Sequence, residues 1–485
     1  MRSTFSGLEL GQRTLAAQQL ALDITGHNIS NAGTQGYSRQ IANLATTIPN
    51  TILARGRNLS VGSGVTLDSI TRARNAYVDR QFRWETSKQQ YWTETQNSLQ
   101  KVEGLMNEPA DNSLHDDLDK FWVAWSDLSK NPENLGAKSV VLERAQTLTD
   151  SFHRISQQIT DMGNDQESNV NVQVTQINDY ASRIKDLNDQ IKSAEVAGDI
   201  PNDFYDARDQ LVDELSKIVS VRVTETLDSN FTDRKVGIFK VEIGNEGLSQ
   251  TLVDDSQASH LQGDGSATNP LQLIDSAGVT SPFDPGTNMG TLTADIEMRD
   301  TYLPNLLSKF DSLAQGIVTA VNALHTTYIT QNFFDTTGLT AANISMDSTI
   351  SENIIQTGAV GESGDGSIGS AISSLASGWT ALAGFASPLD SATMKTNYGS
   401  SFGDYYGAAI AKLGVDVQRA ERMTQGEDIL VTQLANQKES VSGVSLDEEM
   451  TNLIKFQKNY SAAARMVTMM DDMLDKIVNG MGITR

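Results

Sequence analysis

The stretch 445–482 reads SLDEEMTNLIKFQKNYSAAARMVTMMDDMLDKIVNGMG and carries apolar side chains on a seven-residue beat. One heptad position is Leu446, Leu453, Tyr460, Val467, Leu474 and Met481; its companion is Phe456, Ala463, Met470 and Ile477, with Glu449 the one polar exception. Such a pattern predicts a helix over 446–480, about 50 Å long, whose narrow seam needs a partner helix. Ser445 followed three residues later by Glu448 has the spacing of a capping box, and Gly480 and Gly482 mark the end. The chain start supplies a mate: Leu8, Leu15, Leu22 and Ile29 also recur every seven residues. Burial along one such paired seam comes out near break-even against backbone entropy, and isolated helices are marginal. The terminal pair is therefore expected to be soft alone and to order against further copies, although an ordinary intramolecular two-helix coiled coil has the same pattern.

After the first helix comes GHNISNAGTQGYSRQ, residues 26–40. Gly26 and the group Asn28, Asn31 and Gly33 suit cap or left-handed geometries that end a helix, and Gly36 lets the chain turn again. Tyr37, with rigid apolar area and one polar tip, and Arg39 are then expected on an arm that anchors on a neighbouring subunit.

The formal charge is −24, which argues against a nucleic-acid or anionic-membrane partner. It is uneven: residues 1–85 hold nine arginines, no lysine and five carboxylates, a balance of +4 that leaves −28 on the rest. Either subunits attract one another head to tail, or the charges are ordinary surface scatter. There is no cysteine, so disulfides and thiolate chemistry are excluded. Glu9, Gln12 and Arg13 interrupt the first apolar run, and nowhere do eighteen apolar residues follow one another. A chain of this kind that leaves the cell is expected to do so without a cleaved Sec signal.

Between the ends, helical patterns run over 86–160 with breaks near NEPADN and KNPENLG, and a further heptad (Val170, Ile177, Ile184, Ile191) occupies 166–196. DFYDARDQLVDELSKIVS (203–220) is helical, whereas VRVTETL and KVGIFKVEIG read as strands joined by LQLID. Helix returns at 299–325 and at about 405–438. The expected fold is α+β, mainly α: an elongated chain with paired terminal helices (1–35 with 440–485), an extended arm and linker (36–85), a helical bundle (86–220 with 291–330 and 405–439), an inserted β-rich outer domain (221–290), and a Gly/Ser-rich loop region or small outer module (331–404).

Catalytic or cofactor chemistry finds little support. The histidines are scattered and form no ligand pair. HDDLD (115–119) and the carboxylates Asp203, Asp206, Asp209 and Asp213 have helical spacing, but a solvated acidic face explains both as well as a metal does. GDGSIG (364–369) matches G-x-G-x-x-G without the strand that a dinucleotide site requires. Trp122 and Trp125 read as core. No cofactor, metal or catalytic residue is expected.

The segments NISNAGTQGYSRQ and SVSGVSLDEEMTNLIKFQKNYSAAARMVTMMDDMLDKIV resemble the paired termini of bacterial flagellar axial proteins: rod, hook and hook-associated subunits. In the interior, LNDQI (187–191), DARDQLVDELSKIVSVRV (206–223) and RDTYLPNLLSKFDSLAQGIVTAVNALH (299–325) resemble the flagellar hook-associated protein 1 family. TTYITQNFFD keeps Phe333 and Phe334 but lacks the Gly- and Asp-containing turn usual there. The resemblance implies a non-enzymatic subunit of a ring at the hook–filament junction, monomeric before assembly. Its implied partners are other copies, the hook protein, the next hook-associated junction protein and an export chaperone bound to about 446–480. Export through the flagellar type III apparatus is implied too, with no nucleic-acid or membrane partner. A hook or distal-rod subunit, or an axial protein carrying a hydrolase in 331–404 on Glu352, Glu362, Asp365, Asp390 or Asp404, are the alternatives.

Overall fold

The computed structural model describes residues 5–54, 57–106, 113–231, 235–245, 247, 249–358, 362–380, 382 and 391–480. The fold is α+β and mainly α. Helix α1 (Ser6–Ser30) leads into strands β1 (Gln40–Thr46), β2 (Asn50–Ala54), β3 (Arg57–Val61) and β4 (Val65–Arg72). β1 pairs antiparallel with β4, and β2 with β3. The segment 36–85 is thus two nested strand pairs followed by the start of α2 (Ala76–Met106), not an extended linker.

Helices α3 (Leu114–Lys130) and α4 (Leu135–Ala197) follow. Asn134 caps α4 by accepting hydrogen bonds from the N–H groups of Gly136 and Ala137, and Gly198 ends it in the left-handed conformation at φ 96°. The heptad at 166–196 is the second half of this one 63-residue helix, which is about 95 Å long at 1.5 Å per residue. Met162, Gln166 and Val170 keep its buried face continuous through the polar sequence DMGNDQESN.

Two cores sit in series along α4. The first packs Phe121, Trp122 and Trp125 of α3 and Phe152 of α4 against α7 (Leu303–His325), α8 (Ser367–Ser374), α9 (Ser391–Tyr398) and α10 (Phe402–Ser442). Described residues of 331–404, among them Phe333, Phe334, Ile344, Ile368, Ile372 and Trp379, belong to it rather than standing apart. Phe333 and Phe334 are fully buried, both their N–H groups donate to Asn322 Oδ1, and Asn322 Nδ2 donates back to the Phe334 carbonyl. Asn322 thus ties the two phenylalanines back to α7.

The second core joins Val170, Ile177 and Ile184 of α4 to α5 (Asn202–Ile218) and to strands β5 (Val221–Leu227), β6 (Gly237–Ile243), β7 (Gln250–Asp254), β8 (Gln257–Ala258), β9 (His260–Gln262), β10 (Gln272–Ile274) and β11 (Thr280–Pro282). β5 to β8 form one antiparallel sheet in sequence order, with β5 at its edge. LQLID does not join it: β10 is the centre of a separate sheet between β9 and β11. α6 (Gly290–Glu297) then enters α7 through a π turn, Met298–Tyr302.

The last helix, α11 (Leu446–Gly480), returns antiparallel along α1. Among the described residues no helix is long and apolar enough to cross a membrane.

Candidate functional site

The α1–α11 contact is set by residue pairs whose numbers add to nearly the same value. Asn28 Nδ2 donates to Glu449 Oε2 (3.3 Å), Asn459 Nδ2 donates to Gln18 Oε1 (3.4 Å), Gly11 faces Val467, and Gly7 faces Met470. On α1 the line of contact follows Gly7, Gly11, Thr14, Gln18, Ala21, Thr25 and Asn28, alternating steps of four and three. It is small and polar, so the two backbones come close. A Cβ on Gly11 would lie 2.5 Å from Val467 Cγ2, and one on Gly7 would meet the flexible end of Met470. Leu8, Leu15, Leu22 and Ile29 are half-buried and stand one residue beside this line, because the small residues take the closest positions. On α11, Ala463 is buried, while Leu453, Phe456, Val467, Met470 and Leu474 are half-buried. Leu446, Tyr460 and Ile477 are exposed, and Met481 lies outside the described residues. Gly11→Leu is expected to force the helices apart and raise amide exchange throughout α11 while the melting of the two cores stays unchanged, since overpacking a close contact typically costs about 1–3 kcal/mol.

Glu449, the apparent exception in the heptad, is where the helix pair meets the following loop. Its side chain is 3 % exposed and accepts from Arg39 Nε (2.8 Å); Glu448 takes the Arg39 Nη1 and Nη2 atoms at 3.1 and 2.8 Å. Glu448 thus turns to Arg39, although its spacing from Ser445 suggested a capping box. The Arg39 N–H also donates to the Ser442 carbonyl (2.8 Å). Asn28, buried, uses its whole amide. Nδ2 donates to the Gln40 carbonyl and to Glu449, and Oδ1 accepts from the Gln40 N–H (2.9 Å) and the Tyr37 hydroxyl (2.7 Å). Burial, then Asp203, Asp206 and Glu449, raise the Tyr37 hydroxyl well above the usual tyrosine range, so it remains a donor.

Tyr37 and Arg39 therefore hold their own chain together, where an anchoring arm towards a neighbour was expected. The helix also runs past Gly26 and ends at Asn31, whose N–H reaches back to the carbonyl of His27. Gly36 makes the turn at φ 81°, against the Gln210 side chain.

A buried ion cluster fastens this unit to the rest. Asp206, Asp209 and Asp213 share one face of α5. Arg72 Nη1 contacts Asp206 Oδ1 and Asp209 Oδ2, each at 2.8 Å; Arg74 Nη1 reaches Asp209 Oδ2 at 3.0 Å. Arg83 Nε donates to Asp213 Oδ1 (2.6 Å), as does Lys438 Nζ to Asp213 Oδ2 (2.6 Å), and the Ser38 N–H donates to Asp206 Oδ2 (2.8 Å). β4, α2, α5, α10 and the loop after α1 meet here. Three of the nine N-terminal arginines (Arg72, Arg74 and Arg83) are thereby engaged within the chain, as Arg39 is by Glu448 and Glu449.

The other motifs are local. In HDDLD, Asp116 pairs with Lys120, Asp117 accepts from Ser151, and His115 lies 3.6 Å from Asp119. In GDGSIG, a Cβ on Gly366 would overlap the Ser129 carbonyl, so the glycine seats this loop on the end of α3. Among the described residues no group of His, Asp or Glu could hold a metal. Of the carboxylates considered for hydrolysis, Glu352 accepts from Ser139, Asp365 accepts from the Ser367 N–H and hydroxyl, and Asp390 lies outside the described residues.

Three family models match the chain in order: "Flagella basal body rod protein" over 8–37, "Flagellar hook-associated protein FlgK helical domain" over 99–338, and "Flagellar basal body rod FlgEFG protein C-terminal" over 437–480. The two terminal matches coincide with the α1–α11 pair and are common to rod proteins, while the interior match sets this chain apart from a hook or distal-rod subunit. Flagellar hook-associated protein 1 of Bacillus subtilis is 30% identical, over 100% of this chain and 99% of its own. That of Escherichia coli is 26% identical over 96% and 98%. The solved flagellar hook junction protein FlgK from Burkholderia pseudomallei superposes with a TM-score of 0.61 at 13% identity, covering 75% of this chain and all of its own, and shares the fold. With its helical interior and both its ends matched, the chain belongs to the flagellar hook-associated protein 1 family.

Proposed function

We propose that the protein is a structural, non-enzymatic subunit of the bacterial flagellum, forming the junction between hook and filament by packing its terminal helices against those of other copies in a ring. One observation carries this reading. The α1–α11 contact is already closed by its small and polar line, yet α11 keeps Leu446, Met450, Ile454, Met469, Met473 and Ile477 exposed on its outer sides. Side chains of this size along one helix gain roughly 1.5–3 kcal/mol each when buried, and a helix pair that leaves them in water has surface for further helices.

The ring is expected to sit between the hook protein and the next hook-associated junction protein. The same exposed residues on 446–480 suit an export chaperone that covers them before assembly. Export through the flagellar type III apparatus is the route of secretion we infer, and membership of the family supports it.

The triple variant Met450→Ser, Ile454→Ser, Met473→Ser tests the reading. It is expected to keep the helix content and melting of the monomer but to fail to join filament to hook, so that cells shed flagellin and lose motility. Normal filaments from this variant would refute packing through α11. Limited proteolysis of the free monomer should trim 1–40 and 440–485 before the two cores. Muramidase activity of the full chain would revive the hydrolase alternative.

A further inference from the structure

A cavity of about 650 Å3 opens between the end of β4, the first turns of α2, α5 and the edge of the sheet at β5 and β6. Six arginines line it: Arg72, Arg74, Arg80, Arg83, Arg208 and Arg222, against the carboxylates Asp79, Asp209 and Glu225. Asp206, Asp213 and Lys438 complete the ion network behind it and leave two positive charges in excess. That excess has a location. Arg80 on α2 and Arg222 on the edge strand β5 are exposed and make no ion pair among the described residues.

On the floor the charges balance but are shared unevenly. Asp209 is divided among three guanidiniums: Oδ2 faces Arg72 and Arg74, and Oδ1 faces Arg83. Arg208 has a side chain only 3 % exposed, lies over the Phe239 ring at 3.5 Å from its centroid, and reaches Glu225 only at 3.5 Å. Its Nη1 donates to Asn188 Oδ1, but its buried Nε has no acceptor. An unpaired donor of a buried guanidinium and two cations without an ion pair line the same cavity, an arrangement that an anionic oxygen would satisfy, since guanidinium forks match carboxylate and phosphate geometry.

We propose that this cavity is an oxyanion-binding site, with Arg80 and Arg222 gripping a carboxylate or phosphate group at the rim and Arg208 facing it from the floor. Two sources share that chemistry: acidic side chains of a protein segment, of which this chain at −24 carries many, and a free inorganic anion.

Calorimetric titration of the full chain at low ionic strength, with inorganic phosphate and separately with tetraglutamate, tests the site. At least one probe is expected to bind with one-to-one stoichiometry. The double variant Arg80→Ala, Arg222→Ala is expected to weaken that binding about tenfold or more, because hydrogen bonds to ionised groups are the stronger ones. Both substitutions are at exposed positions, so the circular dichroism and melting temperature should not change. Stronger binding of tetraglutamate assigns the site to acidic side chains, and stronger binding of phosphate to a small anion. Absence of binding by both probes at millimolar concentration, or equal binding by the double variant, overturns the proposal.

Discussion

Replacing Asp209 with alanine is expected to lower the unfolding free energy by about 3–5 kcal/mol, the usual result of removing one partner from a buried ionic group. Burial by itself would push the Asp209 carboxyl up, yet Arg74, Arg83, Arg72 and Arg208 hold it far below the ordinary carboxylate range. The loss arises from what remains. Arg72, Arg74 and Arg83 come from β4, the following turn and α2, and without Asp209 they face one another across a water-poor space. Asp206 stays with Arg72 and Asp213 with Arg83, but they also hold Ser38 and Lys438, and neither replaces the charge that Asp209 shared among the three arginines. Urea denaturation followed by circular dichroism measures the change, and Asp203→Ala on the same helix is the control. The Asp203 side chain is 66 % exposed where it meets His27, and surface pairs contribute little, so that variant should match the parent within about 0.5 kcal/mol. A loss below about 1 kcal/mol for Asp209→Ala would mean that the cluster relaxes or hydrates without it, contrary to the central role assigned to it here. The loop after α1 is tied to the same cluster through Ser38, so its amides should exchange faster in the variant too.

How far the sequence displays such features depends on the distance over which each is determined. The companion line of α11 (Phe456, Ala463, Met470) is legible because a continuous helix repeats its own geometry, and its Ala463 and Met470 lie beside Gly11 and Gly7 of α1. The facing line was not. Gly7, Gly11, Thr14 and Gln18 carry no hydrophobic signal, and a periodicity built on leucine settles one residue aside, on Leu8, Leu15, Leu22 and Ile29. A four-three alternation of small residues is the signal that marks it. Likewise Asp206, Asp209 and Asp213 show their helical spacing, but their partners Arg72, Arg74 and Arg83 come from more than a hundred residues upstream, and only the folded chain brings them to one face of α5. Residues 331–404 were obscured by composition. Glycine and serine suggest a loop, while two adjacent phenylalanines and one asparagine on α7 fix its start in the core. Tyr37 and Arg39 were recognisable as purposeful residues, but their partners Asn28 and Glu449 lie within the chain, and no periodicity reports that.

The stability of the protein between pH 4 and 6.5 is expected to be nearly flat through the cancellation of two buried groups, and single substitutions should expose each of them. Asp295 on α6 is buried, and its carboxyl is pushed from 3.8 up to about 7 by burial and then by Glu94; Gln173 Nε2 donates to its Oδ2 at 2.7 Å and Lys101 pulls in the opposite direction, while Oδ1 has no partner. The folded state holds this proton more tightly than the unfolded state, so its contribution is complete below about pH 4 and is lost as pH rises towards 7. His325, at the end of α7, behaves in reverse. Burial lowers its pKa from 6.5 to about 4. The Gln356 N–H donates to its Nε2, so Nδ1 carries the proton and donates to the Gln331 carbonyl. The neutral ring is favoured by folding, and its contribution is present above pH 6.5 and lost as pH falls towards 4. Each slope approaches about 1.4 kcal/mol per pH unit, and the signs are opposite. Asp295→Asn should leave the histidine alone, giving stability that rises with pH through this window. It should also make the variant more stable than the parent above pH 7, by as much as about 4 kcal/mol if the whole shift is realised. His325→Gln, which can keep one donor and one acceptor in place, should show stability that falls as pH rises. Denaturation midpoints across the window decide the matter: a parent-like flat profile in both variants would show that neither group exchanges its proton on unfolding, whereas opposite slopes would locate a compensated pair of proton sites at opposite ends of the α6–α7 segment.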